Sequence, residues 1–205
     1  NLKGENIMMT KNKGKDTFSL MVILLIPVAI AINIVGGQMT SMLKIPVDLD
    51  MIGVLLVGAL AGPIPAALTG VLTNLINGIM DPSWLPYAFC SFFIGISAGL
   101  LSKYNMMNKI WKLAVSGIII ALVATVTATP ITVFFFGGAT GGGASMIAAG
   151  LMATGKQILE AVLSVYIVTE TIGKMISIFV AYVIIKVIPD RTLTKYKYGM
   201  NFVKK

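Results

Sequence analysis

Between residues 113 and 136 the chain reads LAVSGIIIALVATVTATPITVFFF, with no charged side chain, and residues 18–36 form a second long apolar run. A run of about 20 apolar residues is the length of helix that crosses the hydrocarbon of a bilayer. Lipid offers no partner to a bare backbone, so a spanning segment must close its hydrogen bonds within a helix or a barrel. Continuous apolar runs, rather than alternating ones, select the helix. Composition agrees: 57% of the residues are hydrophobic and 12% charged, against roughly 25% charged in soluble chains. The expected fold class is an all-α integral membrane protein.

The runs define six transmembrane helices. The first follows a polar, lysine-bearing N-terminal tail (1–17), and with no small-residue cleavage site after it, it is read as an uncleaved span. The apolar stretch 50–80 is too long for one span and is broken by AGPIPAA, where Pro63 and Pro65 interrupt helical hydrogen bonding. It becomes two helices joined by a tight turn. After the DPSWLPY turn a fourth helix runs to about Leu101, a fifth occupies 113–136, and a last span, preceded by a moderately apolar stretch 147–168, ends near Ile188. The membrane domain is thus 18–188, with a glycine-rich loop at 137–146 and a basic tail at 189–205.

Positive side chains gather on the cytoplasmic side of membrane proteins. With six spans, both termini, the 61–65 turn and the 102–112 connector share one side. That side holds Lys3, Lys11, Lys13, Lys15, Lys103, Lys109, Lys112, Lys186, Arg191, Lys195, Lys197, Lys204 and Lys205, thirteen of the sixteen basic residues. Both termini are therefore expected in the cytoplasm. The net charge of +8 is accounted for by anionic lipid, and no nucleic-acid partner is implied.

Few polar groups remain on the other side. Glu170 and Lys174 stand one helical turn apart, glutamate first, the favourable order for an ion pair. Two readings stay open: a self-neutralised pair at the outer helix end, or a pair facing an outward cavity, the default for intramembrane charge. Asn74 and Asn77 share a face of the third helix, and buried amides need partners. Gln38, Asp50, Trp84 and Tyr87 fall at the same depth, so the eight residues are read together as a substrate-binding hollow. Trp84 and Tyr87 taken singly would serve as interface anchors. The loop FGGATGGGASM is expected to be external and to order over a bound ligand. Small residues on the first helix, among them Ala29 and Asn33, allow close helix packing or the docking of a partner protein.

Several chemistries are excluded. The chain has no histidine, which removes HExxH metal sites and Ser-His nucleophiles. Its single cysteine, Cys90, permits no internal disulfide. GLMATGKQ (150–157) approaches a phosphate-binding loop, but Gln157 stands where a hydroxyl should hold magnesium and no strand precedes it. No catalytic, metal or cofactor site is expected.

The segments PVDLDMIGVLLVGALAGPIPAALTGVLTNLINGIMDPSWLPYAF, FGGATGGGASMIAAGLMATGKQ and TIGKMISIFVAYVIIKVIP together resemble the substrate-binding S component of an energy-coupling factor (ECF) vitamin transporter, nearest to the riboflavin and cobalamin type. The resemblance covers residues 20–190. It implies six helices in a bacterial plasma membrane and capture of a vitamin from outside. It further implies assembly with a transmembrane coupling (T) subunit and two cytoplasmic ABC-type ATPases, and toppling of the subunit in the membrane. Docking in that family uses AxxxA on the first helix; here the region reads PVAIAIN, with Ala29 and Ala31 two apart, so Ala29, Ala31 and Asn33 are the docking candidates. The competing functions are the membrane sensor of a signalling system and a stand-alone secondary carrier.

Overall fold

The computed structural model describes residues 17–203, and among these every regular element is helical. The lysines of the N-terminal tail up to Lys15, and Lys204 and Lys205, lie outside the described residues. The helices are α1 (Leu20–Met42), α2 (Ile52–Ala61), α3 (Pro63–Met80), α4 (Tyr87–Lys103), α5 (Ile110–Phe136), α6 (Gly143–Ala153), α7 (Ile158–Val187) and a single turn, α8 (Asp190–Leu193). Four of them, α1, α3, α5 and α7, are long and apolar enough to cross a membrane. Their outward faces carry exposed Leu, Ile, Val and Phe, the surface lipid accepts and water does not.

α2 is the exception that organises the rest. At 1.5 Å per residue its 10 residues rise about 15 Å, half of a hydrocarbon core of about 30 Å. All ten are buried, which is why its sequence is apolar all round rather than on one stripe. It packs against α1, α3, α4 and α7. A half-length helix inside a bundle leaves the first turn's N–H groups unpaired. Here the side chain of Asn33, on α1, reaches across and its Oδ1 accepts from the Gly53 N–H at 2.7 Å, while its Nδ2 donates to Thr73 at 3.1 Å.

The expected break between the second and third helices falls at Gly62, whose φ of 100° only glycine adopts cheaply, and Pro63 opens α3 at the first helical position. α3 and α4 then lie close enough that a side chain on Gly99 would overlap the backbone of Gly62 and Pro63.

Several details go beyond the sequence reading, and α1 runs on to Met42 rather than ending near residue 36. The last helix begins at Ile158 rather than near 168, so residues 158–168 belong to it and Glu170 lies well inside a 30-residue helix. The stretch 143–153, expected to begin as loop, is the separate helix α6. The basic tail does not hang free: Leu193, Tyr196 and Phe202 are buried, and the Tyr198 N–H donates to the Leu60 carbonyl at 3.0 Å. Tail side chains thus close the end of the bundle where α2 stops.

Candidate functional site

At the opposite end, where α1, α3 and α5 finish and α4 begins, the helices leave a hollow of about 250 Å³. Its walls come from the C-terminal turns of α1, the 43–51 loop, the Pro82–Trp84 turn, the start of α4, the middle of α7 and the glycine-rich segment 140–145.

The 43–51 loop carries the acids into the wall, and small residues on both flanks make room for it. A side chain on Gly37 of α1 would press on the Asp50 Cβ and the Trp84 ring, and one on Gly173 of α7 would press on the Asp48 backbone. The loop therefore lies wedged between α1 and α7, with Asp48 and Asp50 beside the α7 face that bears Tyr166, Glu170 and Lys174. Those three residues are spaced by four, so they stack on one helix face.

Lys174 and Glu170 form an ion pair, Nζ to Oε2 2.9 Å, with Lys174 only 3% exposed. Asp50 is 8% exposed, and its Oδ1 is buried without a hydrogen-bond partner. Two carboxylates and one ammonium thus share a water-poor wall.

The aromatic wall is held by hydroxyls. Tyr87 and Thr132 share a hydrogen bond of 2.6 Å, Thr132 and Tyr166 one of 2.9 Å, which ties α4, α5 and α7 at this level. The Tyr87 ring stacks on Phe136 with centroids 5.9 Å apart. Trp84 is positioned by a 3-10 turn whose preceding residue, Asp81, accepts from the Ser83 N–H at 3.0 Å. The glycine-rich segment lies over the 43–51 loop: Lys44 Nζ donates to the Gly141 carbonyl at 3.0 Å, and a side chain on Gly143 would strike the backbone of Lys44 and Ile45.

Asp48 lies at the mouth, an exposed residue of the 43–51 loop whose side chain lines the hollow among neighbouring acids. Loss of water there pushes its carboxyl up to about 7, the charges of Glu170 and Asp50 push the same way, and Lys174 opposes them. The folded chain therefore holds this proton more tightly than the unfolded chain does. The sign follows: the stability it contributes is complete below the ordinary aspartate value of about 4 and is lost as pH rises towards 7. The thermal midpoint of the ligand-free protein in detergent should fall across that window, and Asp48→Asn should flatten the fall. A midpoint equally pH-dependent in Asp48→Asn would refute this role for Asp48.

Of the residues singled out in the sequence, Asp50, Trp84, Tyr87, Glu170 and Lys174 line the hollow. Gln38, Asn74 and Asn77 do not. Gln38 sits on α1 next to the lining residue Gly37, on a neighbouring face. Asn74 is turned to α4, where its Nδ2 donates to Ser91 Oγ at 2.5 Å, so it acts on the wall through Ser91. Asn77 is buried with neither amide atom hydrogen-bonded. Sequence reasoning did not select Lys44, Asp48, Tyr166 or Ser91. Tyr166 was legible from its four-residue spacing to Glu170, but the loop residues carried no periodic signal.

The docking candidates differ in burial. Ala29 and Asn33 are fully buried inside the bundle, Ala29 against α2 and Asn33 as the cap of α2 described above. They cannot meet a partner protein without unpacking the core. Ala31 alone of the three faces outward.

A family model described as the ECF transporter substrate-specific component matches residues 21–193. No curated protein and no solved structure matches the chain. The match runs through all seven long and half-length helices and every residue of the hollow. This membrane-embedded helical chain belongs to the family of ECF transporter substrate-specific components.

Proposed function

We propose that the chain captures a vitamin or related micronutrient on the outer side of a bacterial plasma membrane and hands it to an ATP-driven ECF importer. Members of the family are substrate-binding subunits of transporters, not enzymes, and act with T and ATPase subunits. The observation that carries the reading is the hollow itself: buried charge, unpartnered acceptors and aromatic rings collected at one end of an otherwise apolar bundle. Evolution retains such groups at membrane depth where they serve a ligand or ion.

Orientation follows from charge. The end opposite the hollow bears Lys103, Lys109, Lys112, Lys186, Arg191, Lys195 and Lys197, so the positive-inside bias turns the hollow outward. α2 and α4 complete six passes. Substrate-binding roles fall to Asp50, Trp84, Tyr87, Glu170 and Lys174, and the glycine-rich segment acts as the cover. A hollow of about 250 Å³ lies just below the usual range of about 300–1,000 Å³ for drug-sized ligands. It favours a compact ring system over a corrinoid.

Gentle detergent purification of the tagged chain from its own cells should bring down a T subunit and two ATPases, and uptake of the retained ligand should stop when ATP is withdrawn. Uptake that continues without ATP, with no ATPase recovered, would instead establish a stand-alone carrier.

A further inference from the structure

The lining of the hollow holds more carboxyl than amino groups. Lys44 and Lys174 face Asp48, Asp50, Asp81 and Glu170, two amino groups against four carboxyl groups. Lys44 is exposed and already donates to Gly141, and Lys174 is already paired with Glu170. The one buried ammonium, that of Lys174, is therefore already neutralised, and Lys44 stands at the exposed rim.

What is left over is an acceptor. Asp50 lines the hollow, and its Oδ1 is buried with no hydrogen-bond partner. A buried polar atom without a partner is costly, and such an atom aimed into a cavity is satisfied by whatever fills it. Burial also holds the Asp50 carboxyl above its ordinary range, with Glu170 adding to the rise and Lys174 opposing it, so an arriving positive charge would favour its ionised form.

Size and lining limit the species further. A hollow of about 250 Å³ equals roughly eight waters at 30 Å³ each, far more than a bare metal ion occupies. Among the described residues no three metal-ligating side chains come together. Trp84 and Tyr87 line the same hollow, and aromatic faces attract organic cations and stack on flat rings.

We infer that the hollow takes a compact organic cation, a planar ring bearing one positively charged nitrogen, with the charge on Asp50 and the ring against Trp84 and Tyr87. This rests on the reading of the hollow as the substrate site and specifies the class of substrate. Asp50 is then the residue that selects by charge, while the Lys174–Glu170 pair keeps the second carboxylate neutralised.

The test uses the purified full-length protein and three molecules of matched shape: benzylammonium, benzyl alcohol and benzoate. Fragments of this size bind in the millimolar range, so thermal shift and calorimetry are read up to about 10 mM. Benzylammonium should bind at least about tenfold more tightly than benzyl alcohol, benzoate should bind more weakly still, and Asp50→Asn should shrink the preference to about threefold or less. Equal or better binding of benzyl alcohol or benzoate overturns the inference, as does absence of benzylammonium binding, or a preference undiminished in Asp50→Asn. The wild-type series decides charge preference even if Asp50→Asn fails to fold. If the series fails while ATPase subunits still co-purify, only the charge inference falls; if the series succeeds and no ATPase is recovered, the importer reading falls and the cation site stands.

Discussion

Lys174→Met should be among the most damaging single substitutions in this protein. Its ammonium is 3% exposed and lies 2.9 Å from Glu170 Oε2, with the unpartnered Asp50 Oδ1 in the same wall. Removing it leaves two carboxylates in a water-poor site with no counter-charge. Breaking one side of a buried ion pair costs about 3–5 kcal/mol, which for a domain of this size lowers the midpoint by roughly 10 °C. Two signatures separate this from a loss of packing. Lowering the pH should return part of the lost stability, because the stranded Asp50 carboxylate then accepts a proton. The double variant Lys174→Met with Glu170→Gln should be more stable than Lys174→Met alone, since it removes one stranded charge. A midpoint within a degree or two of wild type would show that the pair is solvated and that the hollow is not the low-dielectric site described here.

The second large effect is expected at Gly53, in a helix that touches no ligand. A Cβ there would overlap the carbonyl and Cα of Ala29, backbone atoms of α1 that have no rotamer with which to retreat. Gly53→Ala must push α1 off α2, and it would stretch the 2.7 Å bond by which Asn33 caps the Gly53 N–H. Overpacking costs about 1–3 kcal/mol, and leaving the buried N–H unpaired adds about 1–3 kcal/mol. Because the 43–51 loop leads into α2, the shift would also displace Asp50, so affinity should fall with stability. Gly150→Ala is the control. Gly150 lies in α6 with no neighbour within 4 Å of a built Cβ, and Ala is the better helix former, so the control should be neutral or slightly stabilising. Equal midpoints for the two variants would contradict the close α1–α2 approach.

These two sites mark different distances between sequence and structure. The Glu170–Lys174 pair was visible in the sequence, because two charges one turn apart in an apolar run are rare and their spacing fixes their geometry. Their setting differs: the helix begins at Ile158, because the apolar stretch ILEAVLSVYIV continues it without a break and makes it 30 residues long, beyond the roughly 20 that a span requires. The place of Asn33 was less legible. Near small residues on a first helix it looked like part of a docking face, and only the half-length of α2, whose unpaired N–H groups need an acceptor from elsewhere, gives it its place. Asp48 and Lys44 lie in an irregular loop, where no period announces which way a side chain points.

From the sequence alone followed the membrane, the helical class, the break at the Pro63–Pro65 segment, the excess of positive charge at one end and the spacing of Glu170 and Lys174. Each of these is set by local composition or by spacing along one helix, which the order of residues encodes directly. The tertiary structure alone decided that α2 is a buried half-helix capped by Asn33, that Asp48 and Asp50 are wedged beside Lys174, that Asn74 serves the wall through Ser91, and that the basic tail folds back on Leu60. All of these depend on which helix faces meet across the bundle, and that choice rests on close packing between residues far apart in the chain.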